Sequence, residues 1–292
     1  MSNHRQIKHN ILAMIYDFDG TLTPQPMQEY TILPKLGLAP SKFWRTVKQE
    51  AERTGGDEML TYMRLLVEKL EAKQQHLNPS DLCSLGAKIK YFPGVKSWFD
   101  RIGKYVRKRG GGNIRLENYI ISAGQKEILK GVAIGKHFEA MFASEYFFDH
   151  HDRATWPKIL INDTIKTQYI FRINKGLEAP INEYMPEDQR RIPFSNIVYI
   201  GDGMTDVPGM TVTKKNGGYA IAVHKPGKSE SIAKCRKLLE ARRIDFYAPA
   251  NYSTGCVLEK RVRLILDQII AQVLYQREIF SVRRSLGTIG PP

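Results

Sequence analysis

Cysteine is scarce and scattered. The 292 residues include only Cys83, Cys235 and Cys256. Their odd number and wide spacing suit neither a disulfide framework nor a metal cluster. A reducing cytoplasm is the simplest setting for such a chain. Long apolar runs are also missing. No stretch approaches the roughly 18 residues of a membrane span, so no membrane partner is expected. The segment Met1–Asn10 is polar, so no signal peptide is expected. Internal repeats and low-complexity tracts are absent. Acidic residues are in deficit, with 30 Asp and Glu against 44 Lys and Arg, for a formal net charge of +14. That charge suits an anionic substrate or a polyanion, or simply a solvated basic surface. The densest basic runs, Arg101–Arg115 and Lys225–Arg243, interleave no aromatics in a base-stacking pattern. No nucleic-acid motif is visible, so nucleic acid is an admissible partner but not a favoured one. Oligomeric state is not legible.

Hydrophobic residues make up 42% of the chain and charged residues 25%, which are globular values. The length suits one large α/β domain, or a core with a smaller domain. Short continuous apolar runs read as buried parallel strands. Ile11–Tyr16 runs into Asp17-Phe18-Asp19-Gly20-Thr21-Leu22-Thr23. Tyr119–Ile121 runs into Ser122-Ala123-Gly124. Ile197–Ile200 runs into Gly201-Asp202-Gly203. Tyr219–Val223 and Phe246–Ala248 are two further strand candidates. Helical spacing separates them: Val95, Phe99, Ile102 and Val106 share one face, and Gly110–Gly112 end that helix. Strands alternating with helices predict a Rossmann-like three-layer α/β core with a parallel sheet. Ligands bind such sheets at the carboxyl ends of the strands, and all three polar loops leave those ends.

Residues 24–91 break the alternation. Phe43, Trp44 and Val47 suit one helix, Met59, Met63, Leu66 and Leu70 a second, and Leu82, Leu85 and Ile89 a third. No strand pattern occurs there, so the segment reads as an inserted α-helical cap. Helical spacing favours core packing for Trp44, Met59 and Met63 over a role in lining a pocket. Tyr91-Phe92-Pro93-Gly94 marks the return, with hinges expected near Thr23-Pro24 and Phe92–Gly94. The core is then residues 1–23 and 92–279. Gly176–Phe194 reads as a long surface loop, about Thr254–Glu278 as a long helix, and residues 280–292 as a disordered tail.

Asp17 and Asp19, two apart in a turn, can converge on one small volume. Such close carboxylates need a proton or a cation between them. Asp202 and Asp206 form a second acidic pair, and oxygen-only ligands favour a hard cation such as Mg2+. Lys166, at a helix start after Asp163-Thr164, is a candidate opposite charge, although Lys158 and Lys175 flank it. Ser122 offers a hydroxyl, and Ala123 and Gly124 offer backbone N–H groups where a helix is expected to begin, which would make an anion cradle. Ser122 also suits a plain helix cap. Thr21 and Thr23 suit hydrogen bonds within the turn. Asp149-His150-His151-Asp152 resembles a metal cluster by composition but reads better as polar surface. The inventory is one that phosphoryl transfer needs, because catalysis there is mostly positioning and charge neutralisation.

These residues carry a family resemblance. Asp17–Thr23, Tyr119–Gly124, Lys166 within Ile165–Phe171, and Gly201–Asp206 resemble, in order, the four motifs of the haloacid dehalogenase-like hydrolase superfamily. The arrangement is most similar to the phosphoserine-phosphatase group, with a helical cap after the first motif. Ser122-Ala123-Gly124 departs from the Ser-Gly-Gly-Phe of that group. The resemblance implies a phosphatase that acts on a small phosphorylated substrate. It implies that Asp17 is the nucleophile and Asp19 the acid and base. Mg2+ would be held by Asp17, the backbone carbonyl of Asp19, and Asp202, with Asp206 in support. Ser122, Ala123, Gly124 and Lys166 would bind the phosphoryl group, and Lys166 would also steady Asp17.

Overall fold

In the computed structural model, which describes residues 9–285, strand β1 (Ile11–Tyr16) lies at the centre of a seven-stranded sheet of order β4-β3-β2-β1-β5-β6-β7. Every residue from Leu12 to Tyr16 is fully buried, as the unbroken apolar run requires. Side chains alternate between faces, so each strand feeds two cores. Leu12, Met14 and Tyr16 join one apolar cluster, and Ala13 and Ile15 join the other. Strands β2 (Arg115–Gln125), β5 (Ile197–Gly201), β6 (Tyr219–His224) and β7 (Phe246–Pro249) are all parallel to their neighbours in this part of the sheet.

Two strands had no counterpart in the sequence reading. Strand β3 (Ala140–Phe148) pairs parallel to β2, and β4 (Ala154–Ile159) turns back antiparallel at the edge. Pro157 lies in β4, and an edge strand tolerates a residue without an N–H. The turn between them carries Asp149–Asp152. There Asp149 is engaged by Arg153 at 2.9 Å.

The chain passes from β1 to β2 on one side and later from β2's side to β5 on the other. The carboxyl end of β1 is therefore a topological switch point. On one face lie α6 (Val95–Arg109) and α11 (Val257–Ser285), and on the other α8 (Ile165–Lys175), α9 (Val207–Lys215) and α10 (Ser229–Glu240). Helix α6 buries Val95, Phe99, Ile102 and Val106, the face expected from their spacing. Helix α11 extends past its expected end, so residues 280–285 of the expected tail are helical. The remainder of that tail lies outside the described residues.

Residues 24–91 hold five α-helices, a 3-10 turn (Gly86–Lys88) and no strand: α1 (Met27–Tyr30), α2 (Ile32–Lys35), α3 (Pro40–Thr54), α4 (Glu58–Glu71) and α5 (Pro79–Leu85). The expected helices correspond to α3, α4 and α5, except that α5 ends at Leu85 and the 3-10 turn leaves Ile89 outside it. Phe43, Val47, Met63, Leu66 and Leu70 are buried. The half-buried Trp44 donates to Glu29 at 2.9 Å. Helix α4 packs on β4, and α5 packs on α7 (Lys126–Lys130). Both ends of the segment are tied down. The Phe92 N–H donates to the Leu22 carbonyl at 3.0 Å, and the Tyr252 N–H to the Pro93 carbonyl at 2.8 Å.

Gly176–Phe194 is largely irregular, as expected, with a short 3-10 turn at Glu187–Gln189. Arg191 from this loop clamps Glu117 of β2 with two bonds of 2.6 and 2.7 Å. No described helix is long and apolar enough to cross a membrane.

Candidate active site

Strand β1 ends at Tyr16, and the chain turns within four residues. The Asp17 N–H still pairs with the Ile200 carbonyl of β5 at 2.9 Å, which fixes the first acidic residue against the strand that leads to Asp202. The turn is closed by the Gly20 N–H on the Thr23 carbonyl at 2.8 Å. Gly20 has φ +81°, and a Cβ on it would lie 2.2 Å from Asp202 Oδ2. Only glycine satisfies both conditions. Beneath the turn, the buried Tyr252 donates its hydroxyl to the Thr21 carbonyl at 2.8 Å.

Lys166 is 1% exposed and lies between two acids. Its Nζ is 2.7 Å from Oδ1 of Asp17 and 2.7 Å from Oδ1 of Asp206. Of the three lysines around this position, Lys166 is the one that the first turn of α8 delivers to the acidic residues. Asp17 and Asp206 are 4% and 0% exposed. Asp206 also accepts from the Tyr199 hydroxyl at 2.8 Å on the same oxygen, and its other oxygen accepts from the Asp202 N–H at 3.1 Å. The second oxygen of Asp17 accepts from the Thr21 hydroxyl at 3.3 Å.

Carboxylate oxygens of Asp17, Asp202 and Asp206 lie within 4.8 Å of one another. Burial pushes the Asp17 carboxyl up to about 6, against the pull of Lys166 and with a push from Asp206. Burial, then Asp17 and Asp206, holds the Asp202 carboxyl well above its usual range. Burial opposes the charge on Lys166, but Asp17 and Asp206 outweigh it and hold its ammonium well above the usual range. One ammonium does not balance three clustered acids. The remaining strain is of the kind that a divalent cation relieves, and an all-oxygen donor set with few protein ligands fits Mg2+.

The Asp19 carboxyl is turned away from that trio. Its Oδ1 accepts from the Met27 N–H at 2.8 Å. Burial first, and Asp17 second, raises it well above its usual range, which favours the protonated form. Ser122 is buried, and its hydroxyl accepts from the Gly124 N–H at 3.0 Å. The helix expected to begin at Ala123 begins at Lys126. Ala123 and Gly124 are still part of β2, so the short loop is extended where a helical cradle was expected.

Against this geometry, the sequence profile of haloacid dehalogenase-like hydrolases matches residues 14–211. The chain belongs to that family. An uncharacterized protein of Borreliella burgdorferi is 31% identical over 275 residues, covering 86% of this chain and 95% of its own length. A hydrolase of the family from Salmonella enterica serovar Typhi superposes with a TM-score of 0.56 at 16% identity, over 83% of this chain and 68% of that one. A phosphoserine phosphatase in a phospho-aspartyl intermediate analogue state gives 0.54 at 15% identity, over 87% and 98%. At these identities the two structures share the fold of this family member. Sequence reading did not single out Tyr199 or Tyr252, because Tyr199 lies inside the apolar run of β5 and Tyr252 in a loop after β7 that carries no acidic or basic residue. Each is a buried aromatic whose hydroxyl alone reaches the site.

Proposed function

We propose that this family member is a Mg2+-dependent phosphomonoester hydrolase that works through an aspartyl-phosphate on Asp17. The observation that carries the reading is the position of Asp17, which has Lys166 at 2.7 Å on one oxygen and two further carboxylates within 4.8 Å. Lys166 orients Asp17 and keeps it ionised, and Thr21 limits its rotation. The Asp17 side chain, the Asp19 backbone carbonyl and Asp202 would hold Mg2+. Both oxygens of Asp206 are already engaged by Lys166, Tyr199 and the Asp202 N–H, which suits a supporting part. Bound Mg2+ would neutralise charge on the phosphoryl oxygens.

An Asp17 oxygen attacks phosphorus as the bond to the ester oxygen breaks, and Asp19 gives its proton to that leaving oxygen. The resulting Asp19 carboxylate then takes a proton from water, whose oxygen attacks the aspartyl-phosphate. Inorganic phosphate leaves, with Asp17 ionised and Asp19 protonated again. The raised carboxyl of Asp19 supports its first step as an acid. Ser122, Lys166 and the backbone of Ala123 and Gly124 would receive the phosphoryl oxygens. Residues 24–91 are the cap in this reading, and a small phosphorylated metabolite is the substrate. Turnover of 4-nitrophenyl phosphate with Mg2+ tests the reading. It should vanish with chelator and fall below a thousandth of the rate in Asp17→Asn. A variant that retained a tenth of kcat, a difference of about 1.4 kcal/mol in barrier, would remove Asp17 from this role.

A further inference from the structure

Helix α11 is apolar on two faces. Leu258, Val262, Ile265, Ile269 and Val273 are buried in the core. Among the described residues, five of the eleven exposed large apolar side chains lie on the same helix: Val257, Leu264, Leu274, Tyr275 and Val282. Exposed apolar residues scattered singly are ordinary, but a group of them on one element marks an interaction surface. At about 100° per residue, Val257, Leu264, Tyr275 and Val282 fall within about 20° of arc, on the side turned away from that core. Leu264 and Tyr275 are 62% and 60% exposed, so the middle of the stripe is open to solvent. From Val257 to Val282 it is about 38 Å long.

The spacing points to the partner. Val257, Leu264, Ala271 and Glu278 recur every seventh residue, and so do Arg261, Gln268, Tyr275 and Val282. The two sets interleave by four and three, as the seam positions of a coiled coil do. The stripe is also palindromic. Place a second α11 antiparallel to the first, with the twofold axis between Ile269 and Ile270. Val257 then meets Val282 of the other copy, Leu264 meets Tyr275, Gln268 meets Ala271, and Arg261 meets Glu278. Each pairing occurs twice, as a twofold interface requires. The small Ala271 sits beside the axis, where it lets the two helices approach. Among the described residues Arg261 has no carboxylate partner and Glu278 no cationic one. The Arg261 guanidinium rests on the Phe246 and Tyr247 rings, 5.8 and 5.7 Å from their centroids.

We propose that α11 pairs antiparallel with α11 of a second copy of this chain, through Val257, Leu264, Tyr275 and Val282 and the cross-copy ion pair of Arg261 with Glu278. A parallel pair would set Arg261 against Arg261 and Glu278 against Glu278, so charge selects the antiparallel one. The formal net charge of +14 opposes self-association at long range, and physiological salt screens that repulsion. The seam uses no residue of the acidic site.

Sedimentation equilibrium of the purified chain in physiological salt, at about 1 to 100 μM, tests the pairing. The mass should approach twice the 33.4 kDa of one chain. Leu264→Glu, at an exposed position, should raise the dimer Kd at least about a hundredfold with an unchanged circular dichroism spectrum. Arg261→Glu and Glu278→Arg should each raise Kd at least about tenfold, and the double variant should return it to within about threefold of the wild type. In a parallel pair all of these charge variants keep like charges opposed, so no such loss and recovery would occur. A wild type that stays monomeric at about 100 μM would overturn the proposal. If that monomer bound phosphatidylglycerol vesicles, and Leu264→Glu did not, the stripe would belong to a membrane surface instead. A dimer that Leu264→Glu leaves intact would put the interface elsewhere and overturn the proposal as well. Losses in both single variants without recovery in the double would overturn the antiparallel register.

Discussion

Gly20 and Asp202 touch across the site: a Cβ on Gly20 would lie 2.2 Å from Oδ2 of Asp202. The turn after β1 and the loop after β5 are therefore fitted to each other at atomic contact, and neither can be altered alone.

Gly20→Ala should cost more activity than stability. The substitution places a side chain at φ +81° and pushes Asp202 aside. We expect kcat/KM for an aryl phosphate to fall at least a hundredfold, about 2.7 kcal/mol of barrier. Gly37→Ala is the control. Gly37 has φ +64° but nothing within 4 Å of the added atom, so it should lose roughly 1 kcal/mol of stability from backbone strain and keep its activity. Equal activity in the two variants would separate the Gly20 contact from function.

Lys166→Met should destabilise the protein by about 3–5 kcal/mol at pH 7.5, because it leaves Asp17 and Asp206 buried without their cation. The sign with pH follows from linkage. Asp17 has a folded pKa above its unfolded value even with Lys166 present, and loss of the ammonium raises it further. The folded state then binds more protons, so the deficit should narrow as pH falls from 7.5 to 5. Urea titrations at both pH values measure it, and a deficit that widened toward pH 5 would contradict the buried arrangement.

Asp202→Asn separates metal binding from folding. Asp202 carries a carboxyl raised by burial and by Asp17 and Asp206, so the amide should raise Tm in chelator. Addition of Mg2+ should raise Tm in the wild type and leave the variant unmoved. The Mg2+ concentration for half-maximal activity should rise at least tenfold, or activity should be lost. A wild-type Tm indifferent to Mg2+ would argue against a cation at these carboxylates.

Glu117 should make the protein acid-sensitive far from the site. Burial pushes its carboxyl up, but bonds from Arg191 and Tyr119, with Arg115 nearby, prevail and hold it below the usual range. A depressed folded pKa contributes stability that is present above the unfolded value of about 4.3 and lost as pH falls through the folded value. Between pH 6 and pH 3, Glu117→Gln should lose less stability than the wild type, while starting about 1.5–3 kcal/mol lower at pH 6. Parallel denaturation curves for the two proteins across that range would rule out this contribution.

The sequence revealed the strands whose side chains are buried on both sides, because Ile11–Tyr16 and Ile197–Ile200 are unbroken apolar runs. It hid β3 and β4, where Ser144, Glu145 and Pro157 interrupt the run at the sheet edge and one face meets water. The acids Asp17, Asp19, Asp202 and Asp206, together with Lys166, were legible because loop-end polar residues after apolar runs stand out, and the structure brings them together. The partition of those acids was not legible. That Asp19 turns to the Met27 N–H while Asp206 is saturated by Lys166 and Tyr199 depends on contacts between distant segments. The extension of β2 through Gln125 was missed because glycine and serine read equally well as a loop. Helices α1 and α2, four residues each, are too short to show a period. The reading of residues 24–91 as a mobile cap meets a specific constraint, since the bonds at Leu22–Phe92 and Pro93–Tyr252 hold both of its expected hinges.

The hydroxyl of Tyr252 under Thr21 has a consequence for the order in which the protein comes into being. The Asp17 loop is synthesised before its floor, which follows only after 230 more residues have been added, as the separation of 231 positions dictates. Contacts so distant along the chain form late in folding. A nascent chain that stops before residue 252 carries Asp17 without the support that fixes its turn, so the site matures only once Tyr252 has been added.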